Sequence, residues 1–201
     1  HAPASGLNDG TDKAHKGFQV FNDLMDQHQW SGQRKGNAAV TGKAPKDRKE
    51  WSKNIVKILA ISDVPSKLLW DESVRKRLEG IDLILSCGDL PKKYLEYLTN
   101  FTTVPILYVH GNHDGSYKES EPGGCICVDD AVYVWKGLRI MGLGGCNRYN
   151  RDDTFQYTEA EMRRRARKLW LAARRAGGID ILLTHAPASG LNDGTDKAHK
   201  G

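Results

Sequence analysis

The sequence is poor in cysteine and has no long apolar run. No stretch approaches eighteen consecutive apolar residues, so nothing predicts a membrane-spanning helix. The four cysteines lack the spacing of a zinc site, and no secretory signal is recognisable. We therefore expect reduced thiols and a cytoplasmic location. The apolar fraction of 39% is compatible with a globular core.

The net charge of +5 is concentrated in two places. Between Arg34 and Lys53 there are seven basic residues against two acidic ones, and a second basic run spans Arg163–Lys168 in a predicted helix. Such runs are typical of nucleic-acid-binding surfaces, but also of a solvated linker and a solvated helix face. The solvated interpretation is favoured, and nucleic acid stays open as an alternative partner.

The segment from Ile81 to Asp114 predicts a strand–helix–strand unit. Its two short apolar runs, Ile81–Leu85 and Val104–Val109, have the length of buried strands in a parallel sheet. The segment between them has helical periodicity, with Pro91 in the first turn. The sequence therefore predicts an α/β fold.

Polar clusters follow both of these predicted strands. Gly88-Asp89 follows the first, and Gly111-Asn112-His113-Asp114 follows the second. The carboxyl ends of parallel strands line one crevice, so we expect Asp89, Asn112 and His113 to converge there. Carboxylate and amide oxygens with imidazole nitrogens suit Mn, Fe, Zn or Mg ions. A metal site is therefore predicted at this edge.

The GD and GNHD motifs resemble those of the calcineurin-like metallophosphoesterases. Two further strand ends fit the same family: the run before Asp63 resembles its first strand and first metal-binding aspartate, and His185 after Ile179–Thr184 matches its late histidine ligand. The resemblance covers residues 54–201. It implies layered β-sheets flanked by helices, and a metal-dependent phosphoesterase acting on a phosphomonoester or phosphodiester.

The resemblance also implies roles for individual residues. Two divalent metal ions (Mn, Fe, Zn or Mg) are expected, with Asp89 bridging both. His113 is expected to protonate the leaving oxygen or bind the phosphate, oriented by Asp114. Arg148, with Tyr149 beside it, is a further candidate for phosphate contact. The implied metal ligands are Asp63, Asp89, Asn112 and His185. The candidate substrate-binding residues are Asn112, His113 and Arg148, the last because of its position after the glycine-rich turn Gly142–Gly145.

The sequence departs from the family pattern in two places. The usual Asp-x-His motif is replaced by Asp63-Val64-Pro65, and a Gly-His-x-His motif is absent from the 201 residues. We therefore expect a weak first metal site, reduced activity and a sheet that lacks an edge strand. The alternative is a non-catalytic module that keeps this fold and binds a partner protein.

The chain also contains a duplication. Residues 1–17 recur unchanged as residues 185–201, so the order resembles a circular permutation or rearrangement of the family's natural order. We predict three parts: residues 1–30 as a duplicated loop and helix belonging to the core, 31–53 as a basic flexible linker, and 54–201 as the metallophosphoesterase-like core. One loop copy lacks a following helix, which predicts exchange of residues 1–29 between two molecules in a domain-swapped dimer.

Local signals predict the remaining elements. Ser66–Leu78 has the periodicity of a helix, and a hairpin is expected to turn at Lys136-Gly137. Thr158 and Glu161 have the spacing of a capping box at the start of a helix that Gly177-Gly178 closes.

Overall fold

The computed structural model describes residues 55–150 and 154–187. The predicted loop and helix of residues 1–30, the linker of residues 31–53 and most of the second copy of the repeat lie outside these ranges. The expected absence of an edge strand also concerns segments outside them.

The first sheet is parallel and contains the predicted strand–helix–strand unit. Its strand order is β1-β2-β3-β4. The strands are β1 (Ile58–Ile61), β2 (Leu83–Ser86), β3 (Ile106–Tyr108) and β4 (Ile126–Cys127). Helix α1 (Val74–Arg77) precedes β2, and α2 (Lys92–Thr99) lies between β2 and β3 with Pro91 as its N-cap.

The second sheet contains the predicted hairpin. Its order is β5-β6-β9, with β5 and β6 antiparallel and β6 and β9 parallel. Its strands are β5 (Val132–Trp135), β6 (Leu138–Leu143) and β9 (Ile181–Thr184). Lys136 and Gly137 turn the hairpin with φ values of 46° and 89°, the conformation that two-residue hairpin loops require.

A smaller unit follows the hairpin. The two-residue strands β7 (Cys146–Asn147) and β8 (Gln156–Tyr157) pair with each other, and helix α3 (Glu159–Arg175) follows them. The capping box is confirmed, because the Thr158 side chain accepts from the Glu161 main chain and the Glu161 side chain accepts from the Thr158 main chain. Gly177 and Gly178 both have positive φ just beyond the helix end.

The two sheets pack face to face. Strand β2 of the first sheet places its apolar side chains alternately in two hydrophobic cores, one shared with the helices and one shared with the second sheet. On β2, Ile84 packs with α1 and α2, while Leu83 and Leu85 pack with β6 and β9 of the other sheet. Helix α3 packs on β5 and β6. The resulting order is helix, sheet, sheet, helix. The predicted α/β fold of layered sheets flanked by helices is confirmed.

The predicted helix over Ser66–Leu78 is wrong in its extent. The structure has a 3₁₀ turn at Lys67–Leu69 and then α1. Asp71 separates them, since its carboxylate accepts from the main chain and hydroxyl of Ser73 at 2.7 and 2.5 Å. This local bonding competes with helix formation. Trp70, just before it, stacks on Tyr94 and Tyr97 of α2, which also fixes the break.

Candidate metal centre

Four strand ends deliver the predicted site residues to one edge of the molecule. Asp63 follows β1, Asp89 follows β2 and Asn112 follows β3 in the first sheet, whereas His185 directly follows β9 of the second. Both aspartates have φ of 59°, in the left-handed region where only glycine is unstrained and aspartate and asparagine are better tolerated than most other residues. Strained conformations of this kind cluster at functional sites.

The loops after β2 and β3 touch through two glycines. A Cβ on Gly88, whose φ is +96°, would lie 2.4 Å from the main-chain nitrogen of Gly111. A Cβ on Gly111 would lie 2.0 Å from Oδ1 of Asp89. Only residues without a side chain allow this approach, which brings Asp89 against the GNHD loop.

Asp89, Asn112 and His185 converge on one point. Nε2 of His185 lies 3.0 Å from Oδ1 of Asn112 and 3.5 Å from Oδ2 of Asp89. Nδ1 of His185 lies 2.8 Å from the carbonyl oxygen of Cys87. A carbonyl only accepts, so Nδ1 carries a proton, and Nε2 is the ring nitrogen that faces Asn112 and Asp89.

Three electron-pair donors therefore face each other across the site. Such an arrangement requires a proton on Nε2 or a metal cation between these atoms, and one nitrogen with two oxygens suits a divalent metal. The Cys87 carbonyl fixes the histidine ring in the way that outer-shell partners of metal ligands do. Within residues 55–150 and 154–187, no group of three or more His, Cys, Asp or Glu side chains could hold a metal, so this donor set depends on the Asn112 amide.

Asp63 lies at the same edge but is not joined to the three-residue cluster by a hydrogen bond. Its main-chain N–H donates to the carbonyl of Gly88 at 3.1 Å. Burial raises the pKa of the neighbouring Cys87 thiol to about 12, and the charge of Asp63 adds to that shift. Asp63 itself is exposed, so its carboxylate can be reached from solvent.

The contacts of His113 and Asp114 in the structure differ from those predicted for the pair. His113 is exposed, and its main-chain N–H donates to Oδ1 of Asp89 at 2.8 Å. Asp114 is buried, and its Oδ2 accepts from the main chains of Gly111 at 2.7 Å and Asp89 at 2.9 Å. Burial raises the pKa of Asp114, against the effect of these two hydrogen bonds. Asp114 thus joins the two loops, and the prediction that it orients His113 does not match these contacts.

Arg148, the predicted phosphate contact, bonds near the start of α3. Its guanidinium lies 3.2 Å from the carbonyl of Gln156 and 3.3 Å from the carboxylate of Glu161, at the start of α3. Its neighbour Tyr149 contacts the cluster, because its hydroxyl oxygen accepts from Nδ2 of Asn112 at 3.0 Å. The sequence signal for both residues was only their position after a glycine-rich turn.

A second network behind the GNHD loop was not predicted. Nδ1 of His110 lies 2.9 Å from Oδ2 of Asp129, whose Oδ1 accepts from Gly144 at 2.7 Å and from Arg165 at 2.9 Å. Burial acts to raise the pKa of Asp129, but these three partners outweigh it and the pKa is lowered. The His110 ring also stacks on Phe155 at 4.1 Å. This network joins the GNHD loop to the glycine turn and α3.

The polar cluster, whose donors suit a divalent metal, lies at the carboxyl ends of strands in two packed sheets flanked by helices. The chain belongs to the calcineurin-like phosphoesterase superfamily, whose domain model matches residues 56–201. Membership indicates a metallophosphoesterase that acts on phosphate esters and binds divalent metal ions. No curated protein matches the chain. Among the described residues, no helix is long and apolar enough to cross a membrane.

Proposed function

We propose that the protein hydrolyses a phosphomonoester or phosphodiester at a centre of two divalent metal ions. The observation that carries this proposal is the convergence of His185 Nε2, Asn112 Oδ1 and Asp89 Oδ2 around a point that needs positive charge. Asn112 and His185 would hold the second ion, Asp63 the first, and Asp89 both. The bound ions would polarise the phosphate and lower the pKa of an attacking water.

The chain's own residues position this chemistry. The His113 N–H holds Oδ1 of Asp89, so the other carboxylate oxygen points toward His185. The His113 imidazole is exposed beside the cluster, where it is available to bind the phosphate or to give a proton to the leaving oxygen. Within the described part of the chain, the proposed ligands of the first ion are Asp63 and Asp89 alone, so we expect it to bind more weakly than the second and to keep several waters.

The test is the substitution Asp89→Asn. The purified variant should lose bound Mn²⁺ by elemental analysis, and should lose hydrolysis of an aryl phosphate monoester and diester, while its melting temperature without metal stays close to that of the wild type. The matched control is Asp82→Asn, at the opposite end of β2, where the carboxylate accepts from the main chain of Lys57. Retention of the metal by Asp89→Asn would overturn the proposal.

A non-catalytic binding module is the second candidate, and an exposed apolar surface favours it. Val64, Leu68 and Trp70 follow Asp63 and are 76%, 53% and 43% exposed. These three side chains lie within residues 64–70, and contiguous exposed apolar side chains are typical of interaction surfaces. A wild-type protein that binds Mn²⁺ and yet hydrolyses neither aryl ester would favour this function over catalysis.

A further inference from the structure

Tyr149 reaches the candidate metal centre from a different part of the fold than any proposed ligand. It follows β7, and its main-chain N–H donates to the side chain of Gln156 on β8 at 3.3 Å. Gln156 is buried, with 2% of its surface exposed. The Tyr149 backbone is therefore anchored in the small β7–β8 unit, while its hydroxyl extends to Asn112.

The contact matters because an asparagine amide has two different ends. A cation between His185 and Asp89 requires the amide oxygen, Oδ1, to face it. In the opposite orientation, Nδ2 would donate to the lone pair of His185 Nε2, and the NH₂ group would exclude the cation. The orientation in the structure leaves Nδ2 in need of an acceptor elsewhere, and the hydroxyl oxygen of Tyr149 is that acceptor at 3.0 Å.

We propose that Tyr149 is a positioning residue of the metal centre, which holds the Asn112 amide with its oxygen toward the cation and prevents the orientation that excludes it. This inference rests on the proposed function. Tyr149 acts through Asn112, in the manner of outer-shell residues that orient metal ligands.

The first test is metal affinity in Tyr149→Phe, measured by equilibrium dialysis against Mn²⁺. Losing an outer-shell partner typically weakens metal binding by about 10–100-fold, and we expect a loss in this range with an unchanged melting temperature in EDTA. Tyr133→Phe is the matched control, because it deletes the same hydroxyl on β5, two strands from β9, and should bind as the wild type does. Wild-type affinity in Tyr149→Phe would overturn the inference.

A double-mutant cycle separates positioning from a general structural effect. In Asn112→Asp both side-chain ends are oxygens, so there is no amide to orient. Adding Tyr149→Phe to this variant should weaken Mn²⁺ binding by less than about threefold, much less than in the wild-type background. An equal loss in both backgrounds would show that Tyr149 does not act through the amide.

A metal-free measurement keeps the inference separate from the proposed function. In the metal-free protein, the ¹⁵N–¹H signals of the Asn112 side-chain NH₂ should shift in Tyr149→Phe and stay unchanged in Tyr133→Phe. If the wild type binds no Mn²⁺, the proposed function fails, and these signals still decide whether Tyr149 holds the amide. Unchanged Asn112 signals in Tyr149→Phe would overturn the inference even if the wild type binds metal.

Discussion

At the scale of single residues, Asp129 joins the start of the GNHD loop to the glycine turn and to α3. Its carboxylate is 8% exposed and bonds to His110 on one oxygen and to Gly144 and Arg165 on the other. Arg165 also bonds to Asp130 and to the carbonyl of Gly144. The three elements that surround the candidate centre are thus held by one buried negative charge.

The substitution Asp129→Asn should lower the free energy of unfolding by about 3 kcal/mol at pH 7, because it removes the buried charge that His110, Gly144 and Arg165 share. The pKa of Asp129 is lowered from its ordinary value of 3.8. The stabilisation from its charge is therefore complete above pH 3.8 and is lost as the pH falls through the lower folded-state pKa. Urea unfolding at several pH values should show the difference from wild type shrinking only below about pH 3.8.

The neighbouring residue provides the control. Asp130 has the same arginine partner but its side chain is 46% exposed, so Asp130→Asn should cost less than about 1 kcal/mol. Asparagine also tolerates the positive φ of 55° at this position. Equal losses in the two variants would contradict the importance given to the buried carboxylate.

At the scale of elements, the sequence predicted those that depend on short-range signals. The β5–β6 hairpin was predicted from its turn at Lys136 and Gly137, and both residues have positive φ in the structure. The cap of α3 was predicted from Thr158 and Glu161, which lie three residues apart. The helix over Ser66–Leu78 is wrong in its extent for two reasons. The bonding of Asp71 to Ser73 is a short-range signal that the helical periodicity outweighed, and the stacking of Trp70 involves residues of α2 that are distant in sequence.

The basic run in α3 illustrates the same limit. Its helical position is confirmed, and most of its cations are exposed, as a solvated face requires. Arg165 is the exception, since it bonds to Asp129 and Asp130 and its cation lies 3.9 Å from the ring centre of Tyr157. A count of charges places Arg165 in a surface patch, whereas in the structure its side chain bonds within the fold. Nucleic-acid binding by this run stays a prediction.

The same distinction between short-range and long-range signals applies to the candidate site. The approach of Asp89 and Asn112 could be predicted, because the ends of neighbouring parallel strands meet at one edge, whereas His185, which ends a strand of the second sheet, was expected only from the family resemblance. The partners of Asp114, Arg148 and Tyr149 could not be predicted, because each depends on how one loop lies across another. Spacing in the sequence carries information about strands and turns, but not about contacts between loops that are tens of residues apart.

At the scale of the whole molecule, the repeated block still predicts association. Residues 1–17 and 185–201 are identical, and the first copy precedes the predicted helix. Because of this identity, residues 1–29 of one chain can take the place of the second copy in another chain, so we expect a domain-swapped dimer in sedimentation velocity at micromolar concentration. Deleting residues 1–29 should then yield a monomer. A wild-type protein that sediments as a monomer would contradict the exchange.

The ligands of the proposed centre come from both sheets, and this makes a bound ion a crosslink between layers. Asp89 and Asn112 belong to loops of the first sheet, whereas His185 ends a strand of the second. Only the docked pair of sheets presents all three, so metal binding and sheet docking must stabilise each other. At a Mn²⁺ concentration 100 times the dissociation constant, this linkage contributes about 2.7 kcal/mol, or about 5–10 °C in melting temperature. Calorimetry in Mn²⁺ and in EDTA should show this shift in the wild type and none in His185→Ala. A wild-type melting temperature that is the same in Mn²⁺ and in EDTA would mean that the layers are held by their apolar contacts alone.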